Sequence, residues 1–549
     1  MFLSALSSAL AAAFFPGGPM AAHGQEAVAL QYHFAGAANL AGNTNFDTAR
    51  QIFALPPARR FQDLVLDRLT GVFWNALQFD RRANPSQVLR PLLNDLLQAE
   101  SHGSFGGNDK NRMDFVLAAR LDEKGAQAWQ KSLETALHGK GEPLTAEGFS
   151  GRIWSRAANN AFWMLRARDW LVLGRGDDLR AVRADYLQQI RQNNQPHPVM
   201  KDSWLGADVD WPLLAAWAPL TNCPFKLART IVDVTAGGGR FHATNYVSYP
   251  EPAPWHSQPW RIPKDLVSSP LSSFAAAQDL EAFLAPDQTV SRLEANPLTN
   301  QVFCWALREM ALQTYAAWPV ADASNTLRRL GADAPAALNP ILQARNHSEL
   351  TWMANNTQLA WTHLQLTSPT LRAARGQSGD FLLARVFPMD SKYAAPPDQL
   401  WSQFEGRDDV VYYGWEMTGL RLMQWRLLTE LLPIYPPPTR EQAARELKAA
   451  QAAKSSQTAD KPLSPLLVTD AWLNELTPLL GTGSTGNTVT VVTRTSPTEL
   501  TVVRTSAFVF TGFELVLLSH WLADAPMGPV DLNLLPRAKM TAPSFQRPH

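Results

Sequence analysis

Cysteine is nearly absent from this chain: two residues, Cys223 and Cys304, in 549. Two thiols exclude a disulfide-built scaffold and cannot complete a four-cysteine zinc site. A single Cys223–Cys304 bridge and two buried free thiols both remain open on sequence alone. Charge of one sign is also missing. Lys+Arg and Asp+Glu are each 49, so the net charge is zero. That lacks the basic excess with which a nucleic-acid binder neutralises phosphates, and no nucleic-acid partner is expected. Uninterrupted apolar runs of about 20 residues do not occur after the amino terminus, so no transmembrane helix is expected there.

Complete catalytic motifs are missing too. H-E-x-x-H, G-x-S-x-G and C-x-x-C are not found. The eleven histidines show no pair at ligand spacing, so no metal or cofactor is expected from the sequence. Gly481–Thr488 approaches a phosphate loop, but Asn487 stands where lysine must neutralise phosphate, and a helix precedes where a strand should. WLVLGRGDDL has Gly174 and Gly176 but Leu179 at the third glycine position of a dinucleotide fingerprint. It reads as a strand-to-helix turn with Asp177 or Asp178 as the cap.

What is present is a globular composition, 46% hydrophobic and 18% charged, in a chain long enough for several domains. Met1–Phe15 is apolar and is followed by Pro16-Gly17-Gly18-Pro19 and the small-x-small string Ala22-His23-Gly24. This predicts a signal peptide over 1–24, and hence a periplasmic or secreted protein of the cell envelope. A first α+β domain is expected over 25–249 and a Pro-rich linker over 250–265. A second α+β domain follows over 266–524, with a flexible insert at about 445–462, and then a loosely held tail over 525–549.

Two phrases support that division. Residues 161–191 and 487–522 each read as two strands around a polar turn, then an amphipathic helix. MTGLRLMQW from Met417 and FTGFELVLLSHW from Phe510 echo each other, and Thr511 with Glu514 fits a capping box. Strands are expected at 27–36, 113–121 and 203–211, and a hairpin at 229–250 turning on Gly237-Gly238-Gly239. The stretch from 266 to about 295 reads as helix-prone. The fold class predicted is α+β: two similar halves, each a mainly antiparallel sheet with helices packed on one face.

Few side chains stand out as functional. Asp208 and Asp210 share one face of a strand, where capping or solvent exposure is the plainer role. Glu416 ends a strand, with Arg421 and Arg504 as conceivable partners. Trp255 and Trp260 lie in the linker, where they either staple it to the domains or contact a ligand or partner. The apolar start, the opening QYHFAGAANLAGN and the close TGFELVLLSHWL resemble a group of large exported bacterial proteins of unknown function. That resemblance implies location and two-part architecture, and it carries no catalytic residues. The expected function is a non-enzymatic binding or scaffold protein with an unknown protein or glycan partner. One alternative is an exported hydrolase whose carboxylates, such as Asp210 and Glu416, converge between the halves; a weaker one is a carbohydrate-binding protein using Trp255 and Trp260.

Overall fold

A computed structural model describes residues 28–431 and 487–523, except 41–43, 45–46, 78, 80–83, 108–113, 156–160, 199–202, 218–226, 280–299, 309–312, 347, 354–356, 365–366, 388–395, 397 and 508. The expected signal peptide, Cys223, the insert at about 445–462, the Gly481–Gly486 turn and the tail all lie outside the described residues.

The chain opens with β1 (Val28–Phe34), then α1 (Asp47–Ala54), α2 (Pro56–Ala76) and α3 (Pro85–Gln98). Next come β2 (Ser101–Gly106), β3 (Asp114–Arg120), α4 (Glu123–Ala136), β4 (Glu142–Ala146), β5 (Phe149–Ser155), β6 (Ala161–Ala167) and β7 (Trp170–Arg175). α5 (Arg180–Asn193), β8 (Leu205–Asp210), α6 (Trp211–Trp217), β9 (Arg229–Gly237) and β10 (Arg240–Ser248) precede the Pro-rich linker. Beyond it lie β11 (Leu271–Gln278), β12 (Gln301–Leu307), β13 (Thr314–Val320), α7 (Ala323–Asn346), β14 (Glu349–Trp352), β15 (Gln358–Thr362), β16 (Thr370–Gly376) and β17 (Gly379–Arg385). The last elements are β18 (Val410–Met417), α8 (Thr418–Leu431), β19 (Asn487–Ser496), β20 (Glu499–Ser506) and α9 (Gly512–Ala523).

Every strand pairing among these is antiparallel, and together they make one continuous sheet. In space the order is β4-β5-β6-β7-β3-β2-β1-β8-β9-β10. It continues β20-β19-β18-β11-β12-β13-β17-β16-β15-β14. The α+β expectation holds in this form: helices on a large antiparallel sheet.

Helices on one face only is corrected. Along β3, Phe115 and Leu117 pack with α2, α3 and α4, while Val116 and Ala118 pack with Tyr186, Leu187 and Ile190 of α5. Both faces are apolar there, so both need cover. On β17, Phe381 and Leu383 lie under Ile262, Trp401 and Phe404, and Leu382 packs with Ala323 and Leu327 of α7. Here the linker itself covers one face. The helix-prone reading of 266–295 is also corrected at its start. LSSFAAAQ is rich in alanine, but it forms β11 between β12 and β18, where tertiary pairing overrides local propensity.

The two phrases are hairpins followed by helices, as expected. They nevertheless occupy different positions. β6–β7 sits near one end of the sheet, whereas β19–β20 lies at its middle.

Candidate ligand cavity and histidine cluster

The strands β1, β2 and β3 carry a different site on each face. On one face an apolar cavity of about 170 Å³ lies between the sheet and the layer formed by α2, α3 and α4. Tyr32, Phe34 and Phe162 supply its floor, and Leu69, Leu92 and Leu133 its roof. The helices present those residues by simple periodicity. In α4, Ala126, Trp129, Leu133 and Ala136 recur at three- and four-residue intervals and are buried. Asp122 fixes where α4 begins by accepting the Gly125 amide at 2.7 Å, and Asn84 does so for α3 through the Ser86 amide at 3.0 Å. Trp129 Nε1 donates to Asp95 at 2.8 Å, tying α4 to α3 above the cavity. The Tyr32 hydroxyl bonds to Ser101, and burial pushes that phenol well above its ordinary range, so it stays protonated.

On the opposite face stand His33, Glu100 and His102. His33 and His102 are direct cross-strand partners of β1 and β2, so their side chains emerge side by side. Glu100 precedes His102 by two residues and therefore projects to the same face. One donor atom from each of the three lies within 4.8 Å of the others. His33 Nε2 is 3.4 Å from Glu100 Oε1, and the imidazole centroids are 4.6 Å apart. Arg120 Nη1 holds the other oxygen, Glu100 Oε2, at 2.7 Å. That guanidinium also lies over Trp170 at 4.8 Å, and Trp170 meets His102 edge-on at 5.4 Å. Burial pushes His102 down to about 2, assisted by His33, His197 and Arg120, so its ring is neutral near pH 7.

Sequence spacing does not reveal this cluster, because His33 and His102 are far apart along the chain and only the register of β1 with β2 joins them. The available signal is weak: one histidine in each of two strand-like strings, QYHF and ESHG, with a glutamate two residues before the second.

The residues expected from sequence fall elsewhere. Trp255 and Trp260 are half-buried. Trp255 Nε1 donates to the Pro497 carbonyl at 2.8 Å, and Trp260 Nε1 to the Arg407 carbonyl at 3.2 Å. Trp260 also packs edge-on against Phe303 and Phe404. Asp208 forms a two-pronged pair with Arg229, and Asp210 caps α6 through the Leu213 amide at 2.9 Å. Asp210 and Glu416 stand on β8 and β18, five strands apart, and they are also offset along the strands: the row of Asp210 runs through Arg229, Ser248 and Glu499 to Ser496, whereas Glu416 faces Thr488.

Glu416 accepts the Gly512 amide at 2.8 Å. Arg504 pairs with Glu514 at 2.9 Å rather than with Glu416, and Arg421 donates to Gln424 at 2.8 Å. The capping box at Thr511 and Glu514 is complete: the Glu514 amide donates to Thr511 Oγ1 at 3.2 Å, and the Thr511 amide to Glu514 Oε2 at 2.9 Å. Leu179 immediately precedes α5 and offers no side-chain cap of its own. The Asp114 carboxylate of β3 accepts the Asp178 amide at 2.9 Å, which anchors the turn into the helix. Cys304 is a free, largely buried thiol, pushed up to about 11 by burial.

Comparison with known proteins finds no matching family model, no matching curated protein and no matching solved structure.

Proposed function

We propose that this chain is a non-enzymatic binding protein of the cell envelope, and that its ligand is a small apolar molecule held between α2–α4 and the sheet. The observation that carries this is the cavity of about 170 Å³, walled by leucine and aromatic side chains. An apolar cavity of about 150 Å³ is known to stay dry and to admit benzene, which sets the scale here at one ring or a short aliphatic chain. At about 0.8 kcal/mol per buried CH2, a six-carbon chain gains about 5 kcal/mol before ordering costs. The cell-envelope location is carried into this reading from the amino-terminal sequence alone.

The test is a thermal-shift titration of the full chain with indole, hexanol and hexane. The wild type is expected to show a saturable rise in Tm with at least one of them. Leu92→Phe combined with Leu133→Phe, which narrows the space, is expected to abolish or strongly weaken the response. A wild type that shows no saturable shift overturns the reading.

We also infer that the scaffold is a tandem duplication. Adding ten to each strand number in the order β4-β5-β6-β7-β3-β2-β1-β8-β9-β10 gives the order in which β14 to β20 and β11 to β13 pair from the other end of the sheet. A β-bulge interrupts β1 against β2 between Val28 and Leu30, and another interrupts β11 against β12 between Leu271 and Ser273. β10 meets β20, its counterpart under this numbering, in an antiparallel pairing like that of an isologous dimer. On this reading the counterpart of β6–β7 is β16–β17, and that of β19–β20 is β9–β10. An experimentally determined structure in which β1–β10 and β11–β20 fail to superpose strand for strand would sink it.

A further inference from the structure

We propose that His33, Glu100 and His102 form a binding site for one divalent transition ion, with zinc the best match to the donor set. Two imidazoles and one carboxylate are a common three-donor combination for Zn²⁺, whereas Ca²⁺ and Mg²⁺ favour oxygen alone. The spacing fits. With metal–ligand bonds of about 2.0–2.1 Å, two donors on a tetrahedral ion stand about 3.4 Å apart. His33 Nε2 and Glu100 Oε1 are 3.4 Å apart. That is long for a hydrogen bond between them but correct for two ligands of one ion.

One polar atom is also left in need of a partner. Among the described residues, His102 Nε2 is buried and has no hydrogen-bond partner. His102 is 1% exposed. An orphaned ring nitrogen at that depth carries a desolvation cost unless something engages it. A neutral imidazole is the form that ligates a metal.

The surroundings hold the donors in place. Arg120 fixes one Glu100 oxygen and leaves Oε1 toward the histidines, an outer-sphere contact that sets carboxylate orientation. The ladder neighbours of the histidines are small: Gly206 beside His33 and Ala118 beside His102. Three protein donors leave a fourth tetrahedral position for water. The site is on the reverse face of the strands that floor the apolar cavity, so neither depends on the other.

The experiment uses the full chain, stripped with a chelator and then dialysed against one equivalent of Zn²⁺, with bound metal measured by mass spectrometry. Co²⁺ loading gives a second readout in its visible d–d absorption. The expected result is one ion per chain, a Co²⁺ spectrum of tetrahedral type, and at least tenfold weaker binding in Glu100→Gln and His33→Gln with circular dichroism unchanged. Less than one tenth of an equivalent in the wild type overturns the proposal. So does undiminished uptake by either folded variant. Because the wild-type stoichiometry and spectrum decide the question by themselves, failure of a variant to fold does not remove the test.

Discussion

Two carboxylates reach the first turn of α9 from different elements, and their environments push them in opposite directions. Burial raises Glu416, aided by the charge of Glu514 and countered by the Gly512 amide and Arg421. Burial alone would raise Glu514 as well, yet its carboxyl lies below its ordinary range, with the Arg504 guanidinium the largest lowering influence and the Thr511 amide adding to it. A carboxyl lowered by folding adds stability above its unfolded value, about 4.3, and loses that contribution as the pH falls through the folded value. Glu514→Gln is therefore expected to lower Tm at pH 7, with the gap to wild type closing at pH 3. A gap equal at both pH values contradicts this assignment. Thr511→Ala removes the neutral part of the same box and is expected to cost about 1 kcal/mol, read as a fall in the denaturation midpoint at pH 7.

Among the elements, those legible in the sequence carry their own instructions. β1 and β3 are alternating or continuous apolar strings, and the β9–β10 hairpin turns on Gly238 and Gly239, both at positive φ. β2 was illegible for a physical reason. SHGSFG has little strand propensity, yet it lies between β1 and β3, and the Tyr32 ring occupies the space a side chain at Gly103 would need. Its pairing partners determine its conformation, and the histidine cluster depends on that strand. The cavity was illegible because its helices and strands are legible one by one, but the gap left between them is not a property of either.

The linker shows the same limit: its prolines announce irregular backbone, while the face it covers becomes visible only when Trp260 is seen against Phe303 and Phe404. Trp260→Ala is expected to expose residues 250–263 to limited proteolysis. Trp255→Ala, which loses one hydrogen bond, is expected to change the cleavage pattern little. Equal resistance of both variants and wild type would argue that Trp260 does not fasten the linker.

For the molecule as a whole, cohesion across the linker does not rely on the linker. β10 and β20 pair over eight residues, and Phe510, Leu515 and Val516 belong to the same buried cluster as α2 and α3. A protease site inserted after the exposed Glu251 and then cut is expected to leave both pieces in one particle on gel filtration, separating only in denaturant. Separation in buffer alone would mean that the strand pairing contributes little. The α+β class was readable from strand and helix periodicities. The single order running through twenty strands was not, since β10 and β20 are about 250 residues apart and nothing local couples them.

That separation bears on how the chain is made. When the ribosome has delivered Ser248, every ladder from β1 to β10 has both of its partners except the outer edge of β10, whose complement begins only at Glu499. At roughly 5–20 residues per second, this edge waits about 12–50 s during translation. Tyr246, half exposed even in the finished fold, lies on it. An unpaired strand edge is a template for any neighbouring chain. Any copy in which β10 forms before Glu499–Ser506 is available presents that edge, and two such copies can pair β10 with β10.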